Sequence, residues 1–208
     1  EAVFGAGGYA PAALDASEPR AAASAAPAWM QNEFVPFVDD AEKAAMMERA
    51  PLDLRVNALK AERGAVMAEL GGEAIAIARH AIRFAEPFDV EATDAYLSGR
   101  VEVQDAGSQL ISDVCRAAPG MTVVDLCAGA GGKTLSLAAD MAGEGALIAC
   151  DTDRARLQRL PERAARAGAT VETRLLNPGR ELEALGDLVD AADVVLVDAP
   201  CSGSGTWR

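Results

Sequence analysis

The segment Asp198-Ala-Pro-Cys-Ser-Gly-Ser-Gly-Thr-Trp-Arg208 brings a carboxylate, a rigid proline and a thiol close together in the chain. It follows the apolar run 194–197, Val-Val-Leu-Val, which reads as a buried parallel strand. Open α/β sheets hold their ligands beyond the carboxyl ends of strands. Asp198 and Cys201 are therefore the candidate catalytic residues: a carboxylate that can hold or move a proton, and a thiol whose thiolate can attack an electrophile. A helix that would complete this strand-loop-helix unit does not follow before Arg208, so the chain reads as a fragment.

A second signal lies upstream. Val123-Val-Asp125-Leu-Cys127-Ala-Gly129-Ala-Gly131-Gly-Lys133-Thr134 is a short apolar strand running into a glycine-rich turn, and 135–141 continues it as a helix. Glycines let backbone approach a ligand closely, and a helix N-terminus offers unpaired N–H groups. The run 147–150, Leu-Ile-Ala-Cys, reads as the next strand and ends in Asp151-Thr-Asp153. An acid at that point is the expected partner of a ribose hydroxyl pair. The pattern is that of a nucleoside-cofactor site on a Rossmann-like sheet. The dinucleotide fingerprint G-x-G-x-x-G is met only loosely, and a P-loop would need glycine where Cys127 stands. Taken alone, the loop is equally a tight strand-to-helix turn.

Two further stretches join these, Glu102-Val-Gln-Asp-Ala-Gly-Ser-Gln109 and Pro51-Leu-Asp-Leu-Arg-Val-Asn-Ala-Leu-Lys60. In this order the four stretches resemble the motifs of the Nop/Sun (RsmB-like) family of RNA cytosine-5 methyltransferases, over roughly residues 51–208. The resemblance implies S-adenosyl-L-methionine as cofactor, bound by Cys127, Ala128, Gly129, Ala130, Gly131, Gly132, Lys133, Asp151 and Asp198. Where the family usually carries an acid that meets the adenine, this chain has Asn177-Pro-Gly, so Asn177 is the expected substitute. The same segment is equally a turn set by Pro178-Gly179.

The implied chemistry suits these groups. Cytosine C5 is a poor nucleophile, and a thiolate adding to C6 turns it into an enamine-like carbon. Asp198 would hydrogen-bond the N3/N4 edge and stabilise the protonated ring. A local reading makes Cys201 the nucleophile. The resemblance gives that role to a second cysteine, in a Thr-Cys loop after the next strand and so beyond Arg208, and makes Cys201 the thiol that assists release. The implied partner is RNA, ribosomal before transfer RNA. A reading from another class is a catalytically silent module that binds cofactor and RNA.

Other residues have plainer readings. Cys127, Cys115 and Cys150 read as small core thiols, and Asp125 as a brace for the loop. His80 is the single histidine and no C-x-x-C pair exists, so no zinc constellation is expected. No apolar run approaches the ~20 residues of a membrane span, and no signal peptide is visible, so a cytoplasmic location is expected. The net charge of −13 is not that of a generic nucleic-acid binder. The best basic cluster is Arg154, Arg156, Arg159, Arg163 and Arg166, whose plain alternative is a solvated helix face.

These groups must be positioned by an α/β fold. Residues 1–50 read as an Ala/Pro-rich linker with short helices at 27–30 and 39–49. Residues 51–98 read as a small α/β module, similar by family resemblance to an RNA-recognition motif that holds RNA, with strands at 52–59, 74–78 and 82–84 and a helix at 61–70. Residues 99–208 read as a Rossmann-like methyltransferase core, incomplete at its C-terminal end. Its helices are expected at 106–118, 132–142, 153–167 and 180–190, and its strands at 122–127, 146–150, 171–175 and 193–198. That alternation implies a parallel sheet with helices on both faces.

Overall fold

A computed structural model describes residues 17, 28–36, 38–46 and 48–201. The expected linker stretch 21–27 and the Ser202–Arg208 end of the catalytic loop lie outside the described residues. Two compact units form, one reaching Arg49 and the other starting at Ala50. The first holds a 3-10 turn, Ala28–Glu33, and helix α1, Asp40–Ala45. Asp39 caps α1 by accepting the Glu42 N–H at 2.9 Å. The helix ends at Ala45, well short of the expected 49.

The second unit carries two sheets. The first is built from β1 (Leu52–Val56), α2 (Arg63–Leu70), β2 (Glu73–Ala74), β3 (Ala81–Phe84), α3 (Asp94–Leu97) and β4 (Val101–Val103). Its order is β2-β3-β1-β4 with every pair antiparallel, a βαββαβ topology. β4 pairs with β1 in the register Leu54↔Val103, Arg55↔Glu102 and Val56↔Val101. The module's sheet thus extends past the expected boundary at residue 98, because Val101–Val103 supplies its edge. The strand expected at 74–78 is reduced to Glu73–Ala74.

Period-two alternation sorts the residues of this sheet. Leu54, Val56, Ile82, Phe84 and Val101 face α2 and α3 and pack with Val66 and Ala95. Asp53, Arg55, Arg83 and Glu102 fall on the opposite face.

The second sheet follows α4 (Ala106–Val114), whose N-cap Asp105 accepts the Ser108 N–H at 3.0 Å. It comprises β5 (Thr122–Asp125), α5 (Gly132–Asp140), β6 (Ala146–Asp151), α6 (Arg154–Leu157), α7 (Leu160–Ala167), β7 (Glu172–Leu175), α8 (Leu182–Leu185), a 3-10 turn at Gly186–Leu188, and β8 (Val194–Leu196). All pairs are parallel and the order is β7-β6-β5-β8. Both faces are covered. Val123 and Leu147 pack with Leu137 and Ala138, whereas Val124, Ile148 and Cys150 pack with Leu176 and the segment around Leu185. That is why β5 and β6 read as continuous apolar runs. Among the described residues β8 is an edge strand, with Val195 and Val197 exposed, so the run 194–197 is not the buried strand expected of it.

The single helix expected at 153–167 is two, α6 and α7, with Pro161 in the first turn of the second. Proline lacks the N–H an ongoing helix needs, and its ring suits a helix start.

Candidate active site

The chain leaves β5 into a helix on one side and reaches β8 on the other. Strand order therefore reverses between these two neighbours, and the crevice beyond their carboxyl ends is the natural ligand position. Two loops meet there. After β5 runs the glycine-rich turn into α5, and after β8 runs Asp198-Ala-Pro-Cys201.

The glycine turn is held from several directions. The Gly131 N–H donates to Ala128 O at 2.8 Å, and the Ala128 N–H donates to Cys150 O at 2.9 Å. Gly131 sits at φ +90, and a Cβ there would lie 2.1 Å from Leu160 Cδ1. Only glycine fits both that conformation and that contact with α7. Asp125, at the end of β5, is buried, and its Oδ2 accepts the Thr134 hydroxyl at 2.7 Å. Burial pushes the Asp125 carboxyl up from its ordinary value, against the Thr134 hydrogen bond.

Asp151 closes the other side at the end of β6. Its Oδ2 accepts the Gly129 N–H and its Oδ1 the Asp153 N–H, each at 2.7 Å. The acid thus braces the turn through backbone. Each carboxylate oxygen has a second lone pair for a ligand hydroxyl. Asp151, Gly129, Cys127 and Ala128 line a cleft of about 620 Å³, which Arg156 and the Asp198–Cys201 loop complete. That volume suits a nucleoside carrying an amino-acid tail. The glycine turn with the acid opposite it fits such a cofactor.

A second cleft of about 340 Å³ lies alongside and shares Cys127, Ala128 and Asp198 with the first. Gln104, Asp105, Ser108, Asp125 and Lys133 also line it. Lys133 Nζ is ion-paired with Asp198 Oδ2, so the glycine turn and the Asp198 loop are joined by one charged contact. Asp198 is the more open partner, with 41% of its side chain exposed against 16% for Lys133. A carboxylate placed so can exchange this ammonium for a ring N–H or amine of a ligand. Cys201 is exposed and lines the larger cleft.

The thiols separate by environment. Burial pushes Cys127 up, and the Asp151, Asp125 and Asp198 charges push it further. Cys115 is pushed up by burial, and Cys150, wholly buried, to about 11. All three are held as neutral thiols, poor nucleophiles.

The expected residues do not all converge. Cys127, Ala128, Gly129, Gly132, Lys133, Asp151 and Asp198 line one cleft or both. Ala130 and Gly131 do not line either and shape the turn instead. Asn177, exposed beyond β7, lines neither cleft; its backbone C=O accepts the Arg180 N–H in a turn. The turn reading of Pro178-Gly179 describes that segment. The arginine series is not a common solvated face. Arg163 donates to Glu102 Oε2 at 2.7 Å and Arg166 pairs with the other oxygen of Glu102. Residues missed from sequence are Gln104, Asp105 and Ser108 in the smaller cleft, and Arg55 and Glu102 behind the glycine turn. The Glu102-to-Gln109 stretch carried the signal for four of these.

A profile of the family described as 16S rRNA methyltransferase RsmB/F matches residues 112–208. The chain is 34% identical over 193 residues to ribosomal RNA small subunit methyltransferase B of Pseudomonas putida, covering 89% of this chain and 44% of that protein. It is 28% identical over 192 residues to the probable ribosomal RNA small subunit methyltransferase B of Bacillus subtilis, covering 88% and 42%. The chain thus spans less than half the length of these curated relatives. Among solved structures, that of PH0851 superposes with a TM-score of 0.72 at 32% identity, over 82% of this chain and 40% of that one. A methyltransferase homolog protein from Pyrococcus horikoshii superposes at 0.68 and 31% identity, over 79% and 55%.

Proposed function

The chain belongs to the 16S rRNA methyltransferase RsmB/F family, and from that premise we propose that it methylates C5 of a cytosine in RNA, 16S ribosomal RNA before transfer RNA, using S-adenosylmethionine. The observation that carries this reading is the meeting of two loops at the strand-order reversal. The braced glycine turn with Asp151 suits a nucleoside cofactor, and the Asp198–Cys201 loop faces the same cleft.

When bound, S-adenosylmethionine supplies an electrophilic methyl group. Cys127, Ala128 and Gly129 would line its cleft, and Asp151 would hold it through its remaining lone pairs. Asp198 exchanges its ion pair with Lys133 for the N3/N4 edge of the cytosine. The ring takes a proton from solvent at N3, where Asp198 accepts the resulting N–H, and this makes C6 electrophilic; the proton returns to solvent once the C6–S bond has broken. A cysteine thiolate then bonds to C6, and the ring π electrons collect at C5. After methylation the C5 proton must pass to a base and the C6–S bond must break. Cys201, beside Asp198 on the loop, is the thiol at hand to assist that release. We assign the attack on C6 to a second cysteine, as the family resemblance implies.

Bisulfite mapping of ribosomal and transfer RNA from a strain lacking the gene tests the reading. One 16S cytosine should lose its protection. Loss in a transfer RNA instead would move the substrate to that class. No lost site in either RNA would overturn cytosine-5 methylation and favour a silent binding module.

A further inference from the structure

The antiparallel module has one sheet face covered by its own helices and one free of them. In RNA-recognition modules of this topology, the helix-free face stacks bases on aromatic side chains. Here its β1 and β4 part is polar, lacks aromatics and is buried. Asp53, Arg55 and Asn57 are 4%, 2% and 2% exposed, and Glu102, the register partner of Arg55, is 2% exposed.

Each of these residues is bonded to the parallel half. Asp53 Oδ2 accepts the Ala106 N–H at the start of α4, at 3.0 Å. Arg55 Nη1 donates to Gly132 O at 3.0 Å. Asn57 Nδ2 donates to Ala167 O, at the end of α7, at 2.8 Å. Glu102 receives Arg163 and Arg166, and Arg163 donates onward to Ala130 O at 2.7 Å. The carbonyls on either side of Gly131 are therefore each held by a guanidinium. One is rooted in β1, the other is aimed by Glu102 of β4.

We infer that this module is a brace for the cofactor loop, and that Arg55, and Glu102 acting through Arg163, are positioning residues that set the Ala130 and Gly132 peptides. The inference rests on the cofactor reading above. Holding the two carbonyls fixes the path of the turn, and with it the placement of Ala128, Gly129 and Gly132 along the clefts. The same contacts occupy the β1 and β4 part of the face with which an RNA-recognition sheet would stack bases.

Stability does not explain Arg55. Burial lowers its pKa to about 10 even with Glu102 nearby, and its buried Nε has no hydrogen-bond partner among the described residues. When an apolar side chain of similar volume replaces this cation, Glu102 keeps Arg163 and Arg166, so no buried charge is left unpaired. A positioning role and a structural role therefore predict different outcomes for Arg55→Met.

The test uses the full chain with S-adenosylhomocysteine as probe, followed by calorimetry, urea melts and amide hydrogen exchange of the 128–134 segment without ligand. Arg55→Met should keep the wild-type urea midpoint or exceed it, speed exchange in that segment, and weaken probe binding about tenfold. Arg55→Lys, which retains a donor of similar reach, should recover part of the affinity. Wild-type exchange rates in Arg55→Met overturn the brace, as does affinity that falls only in step with stability. If Arg55→Met does not fold, Arg163→Met, at the more open end of the network, is read by the same criteria. Failure of the wild-type protein to bind the probe would count against the cofactor reading alone, because the exchange measurement does not require a ligand.

Discussion

Asp151 does two jobs with one carboxylate, bracing Gly129 and Asp153 through backbone N–H groups while facing the larger cleft. Asp151→Ala should weaken S-adenosylhomocysteine binding by about 1–3 kcal/mol, the cost of leaving donors unpaired. Calorimetry reads this directly, and unchanged affinity would remove Asp151 from the site. Cys201 is open to a sharper experiment. In a full-length version that carries the second cysteine, Cys201→Ala should let addition to C6 proceed while release fails, so a covalent protein–RNA adduct should build up as a slow band on a denaturing gel. Loss of both adduct and methylated product would make Cys201 the nucleophile. Both residues stood out in the sequence, because an acid and a thiol after apolar strands have few other uses. The bonds that Asp151 makes to backbone left no sequence trace.

Among the elements, the approach of the antiparallel module to α7 is the tightest constraint. Gly99 sits at φ +75, and a Cβ there would lie 2.0 Å from Arg166 O. A backbone oxygen cannot swing aside as a side chain can. Gly99→Ala should destabilise the chain by about 2 kcal/mol or more, from the left-handed conformation and the overlap together. A urea midpoint equal to wild type would show that the contact relaxes freely. Gly99 was legible only as a link between segments. That it sits against α7 follows from where β4 pairs, and a three-residue strand is too short for periodicity to reveal.

Across the whole molecule, Asp140 of α5 lies where the antiparallel module, α4 and α5 meet. Arg79 pairs with it and, at 3.1 Å, with Asp113 of α4. Its side chain is 2% exposed, and burial raises its pKa from 3.8 to about 6 despite Arg79. A raised carboxyl pKa means that the folded chain holds the proton more tightly than the unfolded chain. The associated stability is full below the unfolded value of 3.8 and is lost as pH rises through about 6. Asp140→Asn should therefore gain on wild type between about pH 4 and pH 6 and hold a constant difference above. Urea melts across that range check it; a difference independent of pH would show that Asp140 titrates normally.

The sequence by itself determined the parallel sheet, the two chemical loops and the family, because buried strands, glycine turns and a Pro-Cys loop are local patterns with local causes. Asp53 and Arg55 alternate with apolar neighbours along β1, and Asn57 follows the strand. Only the tertiary structure decided what those polar residues meet. The arginines of α6 and α7 looked like one charged series along the chain, yet α7 turns Arg163 and Arg166 inward to a single buried glutamate, whereas Arg156 of α6 lines the cleft. Charge spacing along a helix cannot say which face a second sheet will cover. That depends on packing between segments distant in sequence, and here the antiparallel module covers the face that holds the glycine turn in place.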